Sequence, residues 1–180
     1  MTTVFLIKYV LVKSILLFFL VISSVASSFA QSKDYDIPPF QRFPTFPPIQ
    51  ILLSDSTTVY TKAEIPTGKP TLFIIFSPDC SHCQDETTQM VAHMDELKDV
   101  QIIMITYHPL SQMKDFVATY GLEKYPNIVV GKDVQYVTAT FYSIRNIPCM
   151  ALYNKEGKLI EKLEGTHPIE EVITAFKTNQ

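Results

Sequence analysis

The sequence has no excess of positive charge: Lys and Arg number 15 against 18 Asp and Glu, a formal net charge of −3. A polyanion such as nucleic acid finds no electrostatic footprint on such a chain, which excludes that class of partner. Cysteine is scarce as well, at three residues, Cys80, Cys83 and Cys149. A structural zinc site usually takes four ligands, and beyond the first pair only Cys149 and the scattered His93, His108 and His167 are on offer, so metal binding is disfavoured. Gln84 rather than His follows Cys83, which argues against c-type haem attachment. No internal repeat is visible, and the first 30 residues hold no acid.

What those 30 residues do hold is Lys8, Lys13, an apolar run from Ile15 to Ile22 and the small-x-small ending Ser28-Phe29-Ala30. This is the layout of a secretory signal peptide, with cleavage expected after Ala30. Losing both lysines takes the net charge from −3 to −5 and leaves about 150 residues, a comfortable size for one domain. The alternative is an uncleaved anchor, with Val4 to Val25 spanning a bilayer while the lysines snorkel. No cysteine follows the apolar run, so lipid attachment there is not expected. Either way the rest of the chain is expected to be exported, to the periplasm or cell envelope, where disulfides persist. At 47% hydrophobic and 18% charged, the chain has a globular profile.

From Pro38 to Pro48 the sequence PPFQRFPTFPP holds five of the twelve prolines. Residues 31–48 therefore read as an extended, polyproline-like arm with Phe40, Phe43 and Phe46 on one side, packing on the protein's own domain rather than on a partner. Ile49–Leu53 and Thr58–Tyr60 predict a hairpin across Ser54-Asp55-Ser56. Thr71–Phe76 is an apolar run expected to be a strand buried on both faces. From Cys80 to about Lys98, Met90, Val91, Met94 and Leu97 fall at helical spacing. Gln101–Thr106 predicts a strand, Ser111–Tyr120 a helix closed by Gly121, Asn127–Val130 a strand ending before Gly131, and Val137–Ser143 a short helix. Met150–Tyr153 and Lys158–Leu163 flank a turn in which Gly157 supplies positive φ. Pro168 opens a last helix running to about Lys177, with Glu170 and Glu171 in its first turn.

A Cys-x-x-Cys at the first turn of a helix can close a small disulfide ring, and the free N–H groups and dipole there stabilise a thiolate on the first sulfur. Cys80 is thus the candidate nucleophile. Cys83, one turn deeper on the same face, can resolve a mixed disulfide on Cys80 by attacking it. His82 lies between them, and a protonated imidazole there favours the thiolate and the reduced form. Glu86, three residues past Cys83, is within reach as a proton acceptor, against the plainer reading of a solvated helix acid.

The segment Phe76-Ser77-Pro78-Asp79-Cys80-Ser81-His82-Cys83, following a buried strand, resembles the thioredoxin superfamily. Ile144-Arg145-Asn146-Ile147-Pro148, followed by the strand pair around Gly157, resembles that family's cis-proline loop and closing hairpin. The longer N-terminal hairpin, the Gly68-Lys69-Pro70 lead-in and the extra helix and strand between Gln101 and Val130 resemble the exported TlpA/ResA-type branch, and the likeness covers roughly residues 44 to 178. It implies an α/β, thioredoxin-like fold: a mixed central sheet flanked by helices, with an N-terminal extension and hairpin, over residues 49–180. It implies thiol-disulfide exchange on cysteine-containing client proteins with no cofactor, and a membrane-bound redox partner that recycles the pair. Ile147 and Pro148 would hold an extended substrate strand, and Glu86 matches the acid that follows Cys-x-x-Cys in ResA-type proteins.

The sequence departs from the family's pattern in three places. Minimal thioredoxins carry a buried acid at the position of Ile74. Asp79 replaces the usual aromatic before the first cysteine and opposes the thiolate that His82 favours. Cys149 stands where Thr is more frequent, either as a small buried residue or as a third redox cysteine within reach of the pair. The direction of exchange stays open, since His82 argues for an oxidant and the ResA-like context for a reductant. A non-catalytic copper-handling or docking module is the alternative, although such chaperones use a longer Cys-x-x-x-Cys spacing. A peroxidase is disfavoured, because the Pro-x-x-x-Thr-x-x-Cys signature is missing around Cys80.

Overall fold

The structure, a computed structural model, describes residues 37–179 and, in isolation, Lys13. The expected signal segment with its cleavage point after Ala30, and residues 31–36 of the arm, lie outside the described residues apart from that lysine. In chain order the elements are α1 (Pro39–Arg42), β1 (Gln50–Leu53), β2 (Val59–Thr61), β3 (Thr71–Ile75), α2 (Ser81–Ala92), α3 (Met94–Leu97), β4 (Gln101–Thr106), α4 (Leu110–Tyr120), β5 (Ile128–Asp133), α5 (Val137–Tyr142), β6 (Cys149–Tyr153), β7 (Leu159–Glu164) and α6 (Ile169–Thr178).

Every residue of β3, β4 and β6 is buried, so these strands need a covering layer on both faces. They form the centre of one sheet in the order β2-β1-β5-β4-β3-β6-β7. β3, β4 and β5 run parallel, while β1 and β6 pair antiparallel with their neighbours. This is the mixed α/β architecture expected above.

Alternation along the strands sorts the core into two layers. Leu72, Ile74, Ile102, Met104, Met150 and Leu152 face Cys83 and Met90 of α2, Phe116 of α4 and Val172 and Phe176 of α6. Phe73, Ile75, Ile103, Ile105, Cys149, Ala151 and Tyr153 face Phe141 and Tyr142 of α5 and the apolar side chains of residues 40–65. In the second layer the Tyr142 and Tyr153 hydroxyls, both fully buried, satisfy one another at 2.8 Å.

The arm differs from the extended stripe predicted for it. Pro38 and Pro39 open one helical turn, with Arg42 N–H donating to the Pro38 carbonyl at 3.2 Å. Proline blocks a helix interior but not its first turn, where no N–H is required. The three rings therefore diverge. Phe46 packs on Tyr153 and Phe73 with centroids 4.9 and 5.8 Å away, Phe40 on Tyr142 at 6.4 Å, and Phe43 is 59% exposed beside the Arg42 guanidinium. Thr45 bridges Lys158, and Leu159 N–H donates to the Pro44 carbonyl at 2.8 Å, so the arm also covers part of the β7 edge. Residues 38–48 thus belong to the same compact unit as residues 49–179.

Two predicted boundaries move for local reasons. The helix expected from Cys80 to Lys98 breaks at His93, whose N–H donates to the Met90 carbonyl at 3.1 Å and whose ring bonds the Gln89 carbonyl at 2.9 Å; α3 is a separate single turn. Gly131 does not end β5, which runs on to Asp133. A Cβ at Gly131 would stand 2.8 Å from the Ile51 side chain, so the missing side chain lets β1 lie against β5.

Phe46→Ala is expected to cost about 2–3 kcal/mol in denaturant unfolding while Phe43→Ala costs under about 0.5 kcal/mol, since only the first ring is packed. Equal losses would contradict the arm's placement. Gly131→Ala should destabilise by about 1–3 kcal/mol through overpacking, and a midpoint unchanged from the parent chain would show that Ile51 yields freely.

Candidate active site

The buried strand β3 leaves the sheet at Phe76, whose N–H still donates to the Ile105 carbonyl of β4 at 2.9 Å. Ser77-Pro78-Asp79 then turns the chain, and Cys80 N–H donates to the Ser77 carbonyl at 3.2 Å. Cys80 is the N-cap residue of α2, in extended conformation, with no side-chain capping bond. Its half-buried sulfur therefore sits where first-turn N–H groups and the positive end of the helix dipole favour negative charge.

Three-residue spacing stacks Cys80, Cys83 and Glu86 down one side of α2 into the core. Cys83 is 1% exposed and Glu86 3%. Burial pushes the Cys83 thiol up to about 12, against a lowering hydrogen bond from the Ser77 backbone and with further raising contributions from Cys80 and Glu86. Burial likewise holds the Glu86 carboxyl above its ordinary value, only partly offset by His167, whose N–H donates to Oε2 at 3.4 Å. Glu86 Oε1 has no hydrogen-bond partner. Glu86 also lines a cavity of about 310 Å³, together with Asp85, Gln89, Thr166, His167 and Glu170. Ile74, the strand position that resembles the buried acid of minimal thioredoxins, is apolar and packs in the same layer as Cys83.

The Ile147–Pro148 peptide bond is cis. Pro148 is buried, and Ile147 packs on the same layer as Cys80. The loop before it is held from β7: Glu164 accepts the Asn146 and Arg145 N–H groups at 3.1 and 3.3 Å and pairs with Lys162 at 2.6 Å. Desolvation raises the Glu164 carboxyl, but these bonds outweigh it and bring its pKa below the ordinary value. The next residues connect the two halves of the site. Gly165 N–H donates to the Pro148 carbonyl at 2.8 Å, Thr166 Oγ1 meets His82 Nδ1 at 3.3 Å, and His167 reaches Glu86.

The structure therefore brings together Cys80, His82, Cys83 and Glu86, with Ile147 and Pro148 joined to them through residues 165–167. It does not bring in Cys149. That thiol is fully buried in the opposite layer from Cys80 and Cys83, against Ile75 and Tyr153, and burial pushes it up to about 12. Of the two readings of Cys149, the structure agrees with the small buried residue and not with a third redox cysteine within reach, because residue 149 points to the other side of the sheet from the pair.

Several neighbours were not legible from the sequence. Ser77 Oγ hydrogen-bonds Asp79 and meets His108 Nε2 at 2.8 Å, and His108 Nδ1 meets Gln112 Oε1 at 2.8 Å. Only the register of β3 on β4 places residue 108 beside residue 77. Glu164 and His167 likewise carry no local signal of their own.

A family model described as a thioredoxin-like domain matches residues 61–180. The chain belongs to the thioredoxin-like family. No curated protein matches it in sequence. Among solved structures it is similar to DsbF of Mycobacterium tuberculosis, in mixed oxidized and reduced forms, at 15% identity and a TM-score of 0.63 over 74% of this chain and 96% of that one. It is also similar to a secreted M. tuberculosis disulfide oxidoreductase homologous to E. coli DsbE, at 17% identity and a TM-score of 0.61 over 73% and 96% of the two chains. StoA of Bacillus subtilis matches at 16% identity and a TM-score of 0.56 over 73% and 98%. Among the described residues no helix is long and apolar enough to cross a membrane.

A carboxyl group whose pKa is raised by folding contributes stability that is present below its unfolded value, around 4.5, and is lost as pH rises through the folded one. Glu86→Gln should therefore unfold at higher denaturant than the parent chain at pH 7, by on the order of 1 kcal/mol, with the gain vanishing towards pH 4. A gain independent of pH would mean that the buried charge is not its source.

Proposed function

We propose that this chain catalyses thiol-disulfide exchange with cysteine-containing proteins of the cell envelope, as a member of the TlpA/ResA-like branch. The observation that carries the proposal is the pair itself: a half-buried Cys80 at a helix N-terminus directly above a buried Cys83. In the reducing direction the Cys80 thiolate attacks a client disulfide, forming a mixed disulfide and releasing one client thiolate. Cys83 then gives its proton to the Glu86 carboxylate and attacks the Cys80 sulfur. The second client thiolate leaves, the Cys80–Cys83 disulfide forms, and two electrons have passed to the client.

Glu86 answers a specific difficulty. A thiol pushed up to about 12 is protonated at neutral pH, and a carboxylate made more basic by burial is a better acceptor for its proton than an ordinary one. The cavity beside Glu86 gives that proton a way out. His82 lies next to the nucleophile and tunes its thiolate. The backbone of Ile147, before the cis-proline, holds the client's extended segment. A signal peptide over residues 1–30 exports the domain, and a membrane-bound redox partner returns the pair to its working state. One structural neighbour, a secreted disulfide oxidoreductase of M. tuberculosis, supports this location, and the ResA-like features favour reduction.

With a disulfide-bonded client, Cys83→Ser should accumulate a mixed disulfide through Cys80, and Cys80→Ser should form none; absence of the trapped species would reject the assignment. Glu86→Gln should slow resolution by about 10- to 100-fold near neutral pH, leaving the first attack less affected. The potential of the couple, equilibrated against dithiothreitol or glutathione, then gives the direction: near about −270 mV for a reductant, about −120 to −180 mV for an oxidant or isomerase.

A further inference from the structure

The region around Cys80 has two flanks. On one, residues 165–167 join α2 to the Ile147–Pro148 loop. On the other, a groove of about 430 Å³ opens between α2 and α4, and the site described above makes no use of it. Its walls include Asp79, the residue before Cys80, Gln84 of α2, and Asp115, Phe116, Thr119 and Tyr120 of α4. The Phe116 and Tyr120 rings, both in its lining, pack with centroids 4.5 Å apart.

The charge of this groove is one-sided. Two carboxylates, Asp79 and Asp115, line it, and among the described residues no Lys or Arg does. Ser77 hydrogen-bonds Asp79 and holds its carboxyl below the ordinary value, so it stays ionised. Asp85 adds a third negative charge close enough to raise the Tyr120 hydroxyl, after desolvation. His108, a side chain able to carry positive charge, has Nε2 3.7 Å from Asp79 Oδ1. By contrast, the groove formed near Pro70 and α6 mixes Lys69, Lys155 and Lys177 with Glu96 and Asp99, so its charges cancel locally.

We infer that the groove between α2 and α4 is a client subsite, which takes a Lys or Arg side chain lying within a few residues of the client's reactive cysteine. The inference rests on the exchange activity proposed above and adds a specificity to it. The groove begins at the residue next to the nucleophile, so an occupant there is adjacent to the reacting sulfur. A long basic side chain lays its aliphatic stem on Phe116 and Tyr120 and brings its charge between Asp79 and Asp115. A client held at Ile147 on one flank of Cys80 is read on the opposite flank by this charge.

The test uses two flexible disulfide-bonded peptides that differ only at positions flanking the cysteine, Lys in one and Glu in the other. Reduction by the reduced protein is followed at low ionic strength, and each kcat/KM is divided by the rate with dithiothreitol to remove the peptides' own reactivity. The Lys peptide should be preferred by about two- to fivefold, the scale of an exposed ion pair. The preference should fade at about 0.5 M salt, shrink in Asp115→Asn and be lost or reversed in Asp115→Lys. Reduction of the uncharged hydroxyethyl disulfide should be the same in all three proteins. Equal rates for the two peptides, or a preference that survives Asp115→Lys, would overturn the subsite while leaving exchange intact. Failure of the parent protein to reduce hydroxyethyl disulfide would overturn the exchange reading and the subsite with it.

Discussion

The rest of the site depends on desolvation at the start of α2. Cys80, Cys83 and Glu86 descend one helix face from the end of the central strand β3 into the apolar layer, and each is buried more than an isolated helix would bury it. Removing water penalises the charged forms of Cys83 and Glu86 alike. A thiol that holds its proton too tightly and a carboxyl that accepts one more readily than usual are therefore placed one turn apart. Neither property belongs to the residue type, and both follow from the packing of α2 on β3, α4 and α6.

That packing is enforced from two directions. The fully buried strands β3, β4 and β6 fix where the chain leaves the sheet at Phe76, and so where α2 begins. From the other side, β7 ends in Glu164, whose carboxylate accepts two consecutive N–H groups of the loop before Pro148. The three residues that follow touch Pro148, His82 and Glu86 in succession. One short segment thus ties the cis-proline loop to the cysteine helix. The second layer, with its Tyr142–Tyr153 pair and the Phe46 ring, supports the sheet from behind and touches none of the thiols but Cys149.

Legibility in the sequence follows the range of the interaction. Elements set by local periodicity stand close to where the spacing puts them: β4 coincides with Gln101–Thr106, and α4, β7 and α6 begin within a residue of expectation. The helical spacing of Cys80, Cys83 and Glu86 is local too, so their common face could be read directly. Gly131 was misread as a strand end because its reason for being glycine lies on another strand, in the Ile51 side chain. The prolines of the arm pointed to extended backbone, although a first helical turn tolerates them equally well.

Cys149 marks the limit most clearly. Every residue of β6 is buried, so alternation of polarity cannot tell which side of the sheet residue 149 faces. Its antiparallel register with Ile75 decides it and sends the thiol away from the pair. The same holds for Ser77 with His108, for His167 with Glu86 and for the carboxylates on the two walls of the α2–α4 groove, all joined across long stretches of chain. The sequence by itself determined the element types and the stacking of the three residues on α2, because backbone hydrogen bonding repeats every few residues. Only the tertiary structure decided what surrounds them, because strand order and register bring distant residues into contact.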